Sequence, residues 1–262
     1  MKKIFLLVVL FSVTVYGVAN AGGKSPVFLL LSGILHPHSP LPPLPPSPPL
    51  PFSRLNDTGI TWGGNYPVGN NSTCAGEEIG GQDCSHGRDA TSNNDSDGHA
   101  GFSFTKLGAN GNPLANQAAD YATTPWACVQ DNVTGLIWEV KTNDGGLHDQ
   151  NDTYTCDNTN PATYCNTETY VARVNAAGWC GKSDWRMPTI KELEGIVSLG
   201  TFAPAIDTGY FPNTPYDSVV WSRSPDASGW ADAWLVDFYD GNSTIHIRYT
   251  YGSHVWLVRG GQ

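Results

Sequence analysis

The chain has 262 residues, with 14 lysines and arginines against 24 aspartates and glutamates, so its formal net charge is −10 at pH 7. This excess of acid argues against nucleic acid as a partner, because phosphate binding draws on clustered basic side chains. Nine tryptophans, 29 glycines and a charged fraction of only 15% indicate a loop-rich extracellular fold that packs large aromatic side chains.

The first 21 residues have the pattern of a secretory signal peptide. Two lysines precede an apolar run from Ile4 to Val18, and Ala19-Asn20-Ala21 has the small-x-small form that signal peptidases cleave. This run is shorter than the about 20 apolar residues of a membrane-spanning helix. We therefore expect an exported protein, secreted or displayed at the cell surface, with the periplasm as the alternative and no membrane span in the mature chain.

Residues 22–54 are predicted to form a linker. The prolines from Pro37 to Pro51 have no backbone N–H for helix or sheet, and they favour an extended polyproline-type spacer. Residues 55–124 are rich in Gly, Asn, Asp and Ser, which predicts loops and short strands. Hydrophobic periodicity sharpens in residues 125–262, so we expect one folded unit in which the loop-rich part wraps this second part.

Six cysteines follow the proline tract, and an even number in an exported chain predicts three disulfides. No C-x-x-C pair offers the spacing of a zinc or redox site. Short loops favour the pairs Cys74–Cys84 and Cys156–Cys165, and Cys128–Cys180 then follows by elimination. Spacing alone leaves the other connectivities open.

An alternating apolar pattern in "TGLIWEVK" (residues 134–141) predicts a strand with one buried face. The two alternating sets are Leu136, Trp138 and Val140 on one side, and Ile137, Glu139 and Lys141 on the other.

Two helices are predicted after this strand. Apolar positions recur with a helical period in residues 166–178, and Gly178 supplies a stop. The second helix begins at Thr189, where Glu192 completes a capping box, and we expect it to end at Gly200.

The last 45 or so residues predict an antiparallel sheet. Trp234, Val236 and Phe238 alternate along one strand, Asp240-Gly241 is a turn dipeptide, and apolar residues alternate again along residues 245–249. We expect Trp234 to pack in the core. The predicted fold class is α+β, with two helices and a mainly antiparallel sheet, loop-rich and stapled by disulfides.

Six motifs in a fixed order resemble the Lcl C-terminal domain family over about residues 126–262: "TGLIWE", "GWCGKSDWRMPTIKELEGI", "FPNTP", "VVWSRS", "AWLVDFYDG" and "VRGGQ". The resemblance implies an exported bacterial domain with a C-type lectin-like fold, which formylglycine-generating enzymes share. It also implies binding at a surface, because the family's namesake is the C-terminal domain of a collagen-like adhesin that binds sulfated glycosaminoglycans.

The stretch around Arg186 is interpreted as a structural corner. Its guanidinium stands immediately before the capped helix and can donate to a carboxylate, with Asp184 and Glu192 as the nearest candidates. We favour this role over catalysis, and we expect Trp179 and Trp185 to be core aromatics.

One acidic loop is a candidate cation site. Asn93, Asp95 and Asp97 alternate oxygen-bearing side chains before a glycine, which is a spacing by which a loop wraps Ca²⁺. No glutamate stands at the twelfth position, so Asp89 is the candidate for completing the site. The alternative is an ordinary turn rich in Asn and Asp.

Glycan binding calls for flat aromatic faces together with groups that hydrogen-bond hydroxyls, and a sulfated glycan would also need a local basic patch. The candidate ligand-binding residues are Trp230, Asp232, Asn213, Trp221, Arg223 and Arg248. Among them, Trp230 beside Gly229 is the expected exposed aromatic.

We expect a non-catalytic, adhesin-like recognition domain that binds a glycan or a cell-envelope protein. One alternative is a structural subunit of a surface filament or envelope assembly, which would form oligomers. A relative of the formylglycine-generating oxidases is disfavoured, because those enzymes hold copper with two cysteines and Cys180 is the last cysteine of this chain.

Overall fold

The computed structural model describes residues 55–65, 69–72, 74, 81–91, 95–155, 166–249 and 252–260. All of them belong to the second of two units into which the chain divides, Pro49–Gln262. The predicted signal peptide, the predicted linker and the Cys156–Cys165 pair lie outside the described residues. Within these ranges, no helix is long and apolar enough to cross a membrane.

Three antiparallel sheets and two helices give the predicted α+β class. One sheet is the hairpin β1-β2, the second has the order β3-β4-β5-β9, and the third has the order β6-β7-β8. The strands are β1 (Gly63–Asn65), β2 (Gly69–Asn71), β3 (Phe104–Leu107), β4 (Cys128–Asp131), β5 (Ile137–Glu139), β6 (Val219–Pro225), β7 (Asp232–Asp237), β8 (Ser243–Ile247) and β9 (Val258–Arg259).

The helices are α1 (Asn166–Ala177) and α2 (Ile190–Glu194). Gly178 ends α1 with a φ of 65°, in the left-handed region that favours glycine, as predicted. Thr189 caps α2 and Glu192 completes the capping box, which confirms the predicted start. The predicted end at Gly200 is wrong. The helix ends at Glu194, because the chain then turns to pair with other segments, and Ser198 N–H donates to the Ala205 carbonyl.

The strand predicted in residues 134–141 exists, but the expectation of a single buried face is wrong. Trp138 is buried in one core cluster, yet Glu139 and Lys141 on the opposite side are buried as well. The reason is that β5 is an inner strand, paired with β4 and β9, and a second cluster of buried side chains covers its other face.

Two of the three predicted disulfides are confirmed, Cys74–Cys84 and Cys128–Cys180. Cys128 begins β4 and Cys180 lies in the short 3-10 turn after α1, so this bridge ties the central sheet to the end of the helix. Its loop closes over 52 residues, and closing a long loop restricts the unfolded chain.

The corner around Arg186 is held by a two-pronged ion pair. The Arg186 guanidinium donates to both carboxylate oxygens of Glu192 at 2.9 and 2.6 Å, and also to the Gly260 carbonyl at 3.1 Å. Glu192 was one of two predicted partners, whereas Asp184 pairs with Arg259 at 2.7 Å. Trp185 is buried, as expected, and Trp179 is half-buried.

A buried carboxylate joins the segments around β5. Glu139 Oε1 accepts hydrogen bonds from Lys141 Nζ at 2.8 Å, from Tyr170 OH of α1, and from His148 Nδ1 at 2.8 Å when the imidazole proton is on that nitrogen. Glu139 Oε2 accepts from the Leu257 N–H at 2.9 Å. We call this set the Glu139 network.

Electrostatics keep Glu139 ionised within this network. Burial opposes its ionisation, but the Lys141 ammonium and the hydrogen bond from His148 outweigh burial and hold the pKa of Glu139 below its ordinary value. A buried charge of this kind is tolerated only when paired and hydrogen-bonded. The network therefore converts four separate segments into one rigid unit.

Replacing Glu139 should destabilise the fold strongly. Glu139→Gln keeps the shape but leaves the Lys141 ammonium buried without a counter-charge, so we expect the free energy of unfolding at pH 7 to fall by about 3–5 kcal/mol. Urea denaturation measures this, with Glu168→Gln on the exposed face of α1 as the matched control, expected to change stability by about 0.5 kcal/mol or less.

The fall in the free energy of unfolding caused by Glu139→Gln should also depend on pH. Because the folded pKa of Glu139 lies below the unfolded value, its contribution is complete above the ordinary pKa of 4.5 and is lost as the pH falls below it. The stability gap between wild type and Glu139→Gln should therefore narrow in acid. A gap that is absent at pH 7, or that widens in acid, would contradict this account.

Arg186→Lys tests the corner. A lysine ammonium cannot hold both oxygens of Glu192 and the Gly260 carbonyl with a planar fork, so we expect a loss of about 1–2 kcal/mol in urea denaturation. Arg223→Lys is the control, since Arg223 is exposed and makes no ion pair within the described ranges. Equal stability of Arg186→Lys and Arg223→Lys would show that the two-pronged pairing of Arg186 with Glu192 does not stabilise the fold.

Candidate functional site

The β6-β7-β8 sheet is covered by a different helix on each face. On one face, Leu235 of β7 packs with Tyr170 and Val174 of α1. On the other face, Val236 of β7 shares a core cluster with Leu193 of α2. Because α2 has only five residues, it covers one end of its face and leaves the other end open.

That open end carries a row of exposed apolar side chains. Trp234 pairs with Ile245 across β7 and β8, and residues directly opposite each other share a face of the sheet. The Arg248 N–H donates to the Ala231 carbonyl, so the pairing extends one residue beyond Asp232 and Ile247, and Trp230 and Tyr249 follow directly on the two segments. We call Trp230, Trp234, Ile245, Ile247 and Tyr249 the aromatic strip.

The exposure of the strip is high for apolar groups. Trp230 is 80% exposed, and Ile245, Ile247 and Tyr249 are between 37% and 39% exposed. In the described part of the chain, no aromatic ring stacks on Trp230. An exposed tryptophan within a contiguous apolar patch is a common mark of a binding surface.

Four of the five members of the strip were not among the predicted ligand residues, and the expectation that Trp234 packs in the core is wrong. Trp234 is only half-buried, although Val236, the next residue on the same face of β7, is fully buried. The alternation of Ile245, Ile247 and Tyr249 was visible in the sequence. A period of two shows which residues share a face but not which face is covered.

Asp232, a predicted ligand residue, lies between Trp230 and Trp234 on this face of β7. Its Oδ1 is buried with no hydrogen-bond partner in the described part of the chain. A Cβ at Gly229 would stand 2.2 Å from its Oδ2, so only glycine leaves room for this carboxylate.

A second feature lies on the opposite face of the same sheet, and we call it the arginine pocket. It is a cavity of about 200 Å³ between the first turn of α1 and the strands β6 to β8. Its walls include Glu168, Met187, Trp221, Arg223, Ala233 and Arg248. Three predicted ligand residues, Trp221, Arg223 and Arg248, are thus brought together here and away from the strip.

The remaining predicted ligand residue is part of neither feature. Asn213 donates its side-chain N–H to the Lys141 carbonyl at 2.6 Å, where it supports the chain just beyond β5. Trp221 is almost fully buried, and its indole N–H donates to the Tyr154 carbonyl at 2.9 Å, so it can offer a ligand only an edge of the ring.

The predicted cation ligands hydrogen-bond to their own loops. Asp95 accepts from the Ala100 N–H, Asp97 accepts from the Ser103 hydroxyl, and Asp89 accepts from the Ala90 N–H. Burial and the neighbouring Asp57 raise the pKa of Asp89. Asn93 lies outside the described residues, and among those described no group of three or more His, Cys, Asp or Glu is placed to hold a metal ion.

A larger open groove of about 440 Å³ lies between residues 55–58 and the end of α2. Its charged groups are already engaged, because Lys191 pairs with Glu194 at 2.7 Å and Glu194 also accepts from the Ser243 hydroxyl. The groove therefore offers fewer unpaired polar groups than the arginine pocket does.

A family model described as the Lcl C-terminal domain matches residues 127–259, just over half of the chain. No curated protein and no solved structure matches the chain. The matched residues contain both helices and the whole β6-β7-β8 sheet, which carries the aromatic strip and the sheet side of the arginine pocket.

Proposed function

The chain belongs to the Lcl C-terminal domain family, and we propose that it is an exported, non-catalytic recognition domain of C-type lectin-like fold that binds a neutral glycan on the aromatic strip. The proposal rests on one observation above all, the exposed row of Trp230, Ile245, Ile247 and Tyr249 beside the half-buried Trp234 on the open end of a sheet. The signal-like first 21 residues and the two disulfides support an oxidising compartment outside the cytoplasm.

The strip has the chemistry that sugars require. Carbohydrate rings present apolar C–H faces, which pack on flat aromatic side chains such as Trp230 and Tyr249. The Trp230 indole N–H and the Tyr249 hydroxyl add polar groups at the edge of the same surface. Both residues flank a hydrogen-bonded strand pair, so the platform is held in place before a ligand arrives.

The size of the strip favours a compact ligand over a large protein partner. Its exposed apolar area is on the order of 400 Å², which is typical of a functional patch on a monomer. A stable protein interface buries about 800 Å² on each partner. A surface of this size fits a short oligosaccharide.

The charge of the protein favours a neutral glycan. The net charge is −10, and Asp226 and Asp232 stand near Trp230 in the chain. An acidic surface repels a sulfated polymer at distances within the screening length of about 10 Å. Of the three arginines that could form a basic patch, Arg223 and Arg248 line the pocket on the other face of the sheet, and Arg259 pairs with Asp184.

A structural role in a surface assembly is the second candidate. The observation that favours it is the position of β8, which is the last strand in the order β6-β7-β8 and carries exposed apolar residues. An edge strand of this kind can add strands from a partner. This candidate predicts ordered oligomers without any sugar.

A glycan array probed with the oxidised mature protein tests the proposal. We expect binding to neutral glycans that is unchanged by chelator and weakened at least tenfold by Trp230→Ala, taking the about 1–3 kcal/mol that an aromatic side chain contributes when a nucleobase stacks on it as the guide. Phe202→Ala is the matched control, because Phe202 is also exposed, at 75%, but lies in the loop after α2.

Two outcomes would overturn the proposal. Absence of glycan binding with and without chelator would leave the assembly role ahead, and light scattering would then be expected to show oligomers. Binding that survives Trp230→Ala but is lost in Phe202→Ala would place the glycan away from the strip.

A further inference from the structure

We propose that the arginine pocket is a second binding site, for a small zwitterion of the α-amino acid class. The pocket lies on the face of the β6-β7-β8 sheet opposite to the aromatic strip, so it is separate from the proposed glycan surface. It combines two cationic side chains, one carboxylate and an apolar wall around a cavity of about 200 Å³.

The two arginines of the pocket have N–H donors that are not engaged in ion pairs within the described ranges. Arg248 Nη2 donates to the Asp232 carbonyl at 2.9 Å, but Arg248 Nε is buried with no hydrogen-bond partner in the described part of the chain. Arg223 is exposed, and neither arginine makes an ion pair within the described ranges. The guanidinium of Arg223 and the remaining N–H groups of Arg248 are thus not used by any carboxylate of the described chain, and a bound carboxylate can accept from them.

The anionic side of the pocket is Glu168, in the first turn of α1. This side chain is exposed and forms no ion pair with Arg223 or Arg248 in the structure. A simple anion entering the pocket would gain from the arginines but be repelled by Glu168. A ligand that carries an ammonium group beside its carboxylate can pair its carboxylate with the arginines and its ammonium group with Glu168.

The size and lining of the pocket limit the rest of the ligand. A volume of about 200 Å³ lies below the about 300–1,000 Å³ of sites for drug-sized ligands, so the pocket suits a small molecule such as a single amino acid. Met187, Trp221 and Ala233 form the apolar wall, and Trp221 and Ala233 are themselves almost fully buried. Alanine is therefore the natural probe.

Calorimetric titration of the oxidised mature protein compares alanine with two fragments of the same size. Propionate lacks the ammonium group and isopropylamine lacks the carboxylate. We expect alanine to bind at least tenfold more tightly than either fragment, because only alanine pairs with the arginines and Glu168 together.

Two variants test the roles of the charged side chains in the pocket, and a third is the control. Arg223→Gln should weaken alanine binding about tenfold, since it removes one charged donor. Glu168→Gln should remove the preference for alanine over propionate, because the repulsion of a bare carboxylate is lost. Lys191→Gln, an exposed cation on α2, is the control and should leave all affinities unchanged.

The proposal is overturned if wild-type protein shows no heat with alanine, or if propionate and sulfate bind as well as alanine, which would make the pocket an unspecific anion site. Trp230→Ala separates the two sites, since it should leave alanine binding intact. Absence of glycan binding on the array would therefore not contradict the amino-acid site. Absence of alanine binding would not contradict the glycan proposal.

Discussion

The Glu139 carboxylate is the interaction on which the rest of the structure depends. It is buried on the side of β5 that the second core cluster covers, and it accepts hydrogen bonds from Lys141, His148, Tyr170 and the Leu257 backbone. An ionised group in this position would cost several kcal/mol if its partners were displaced. The positions of β5, α1 and the segment before β9 are therefore coupled to one another.

The candidate sites follow from this coupling. Tyr170 anchors α1 on one face of the β6-β7-β8 sheet, and the first turn of α1 then forms a wall of the arginine pocket. On the other face, the short α2 covers only the end of the sheet near Val236. The uncovered end is the aromatic strip, so one helix creates a cavity and the shortness of the other leaves a platform.

Local signals in the sequence predicted local structure well. The Thr189–Glu192 capping box, the Gly178 stop and two disulfide pairs are all present, because each depends on residues close in the chain or on a simple pairing rule. The end of α2 was missed, since the apolar residues after Glu194 are buried by tertiary contacts and not by helical periodicity.

Features set by neighbouring layers were not accessible from periodicity. The burial of Glu139 and Lys141 depends on a second core that covers the polar side of β5, and no local pattern reports that layer. Trp230 was identified as an exposed candidate because it stands beside Gly229 at the start of a strand. Ile245, Ile247 and Tyr249 lie on β8 or directly after it, and only the register of β7 with β8 brings them to the same face as Trp230.

Amide hydrogen exchange at Leu257 tests the central role of Glu139 most directly. The Leu257 N–H donates to Glu139 Oε2, and the Leu257 carbonyl accepts from the Glu139 N–H, so opening this amide requires the buried network to break. We predict that Leu257 exchanges only through global unfolding, among the slowest amides of the domain. Exchange of Leu257 as fast as that of the exposed loop amide of Gly146 would contradict the account.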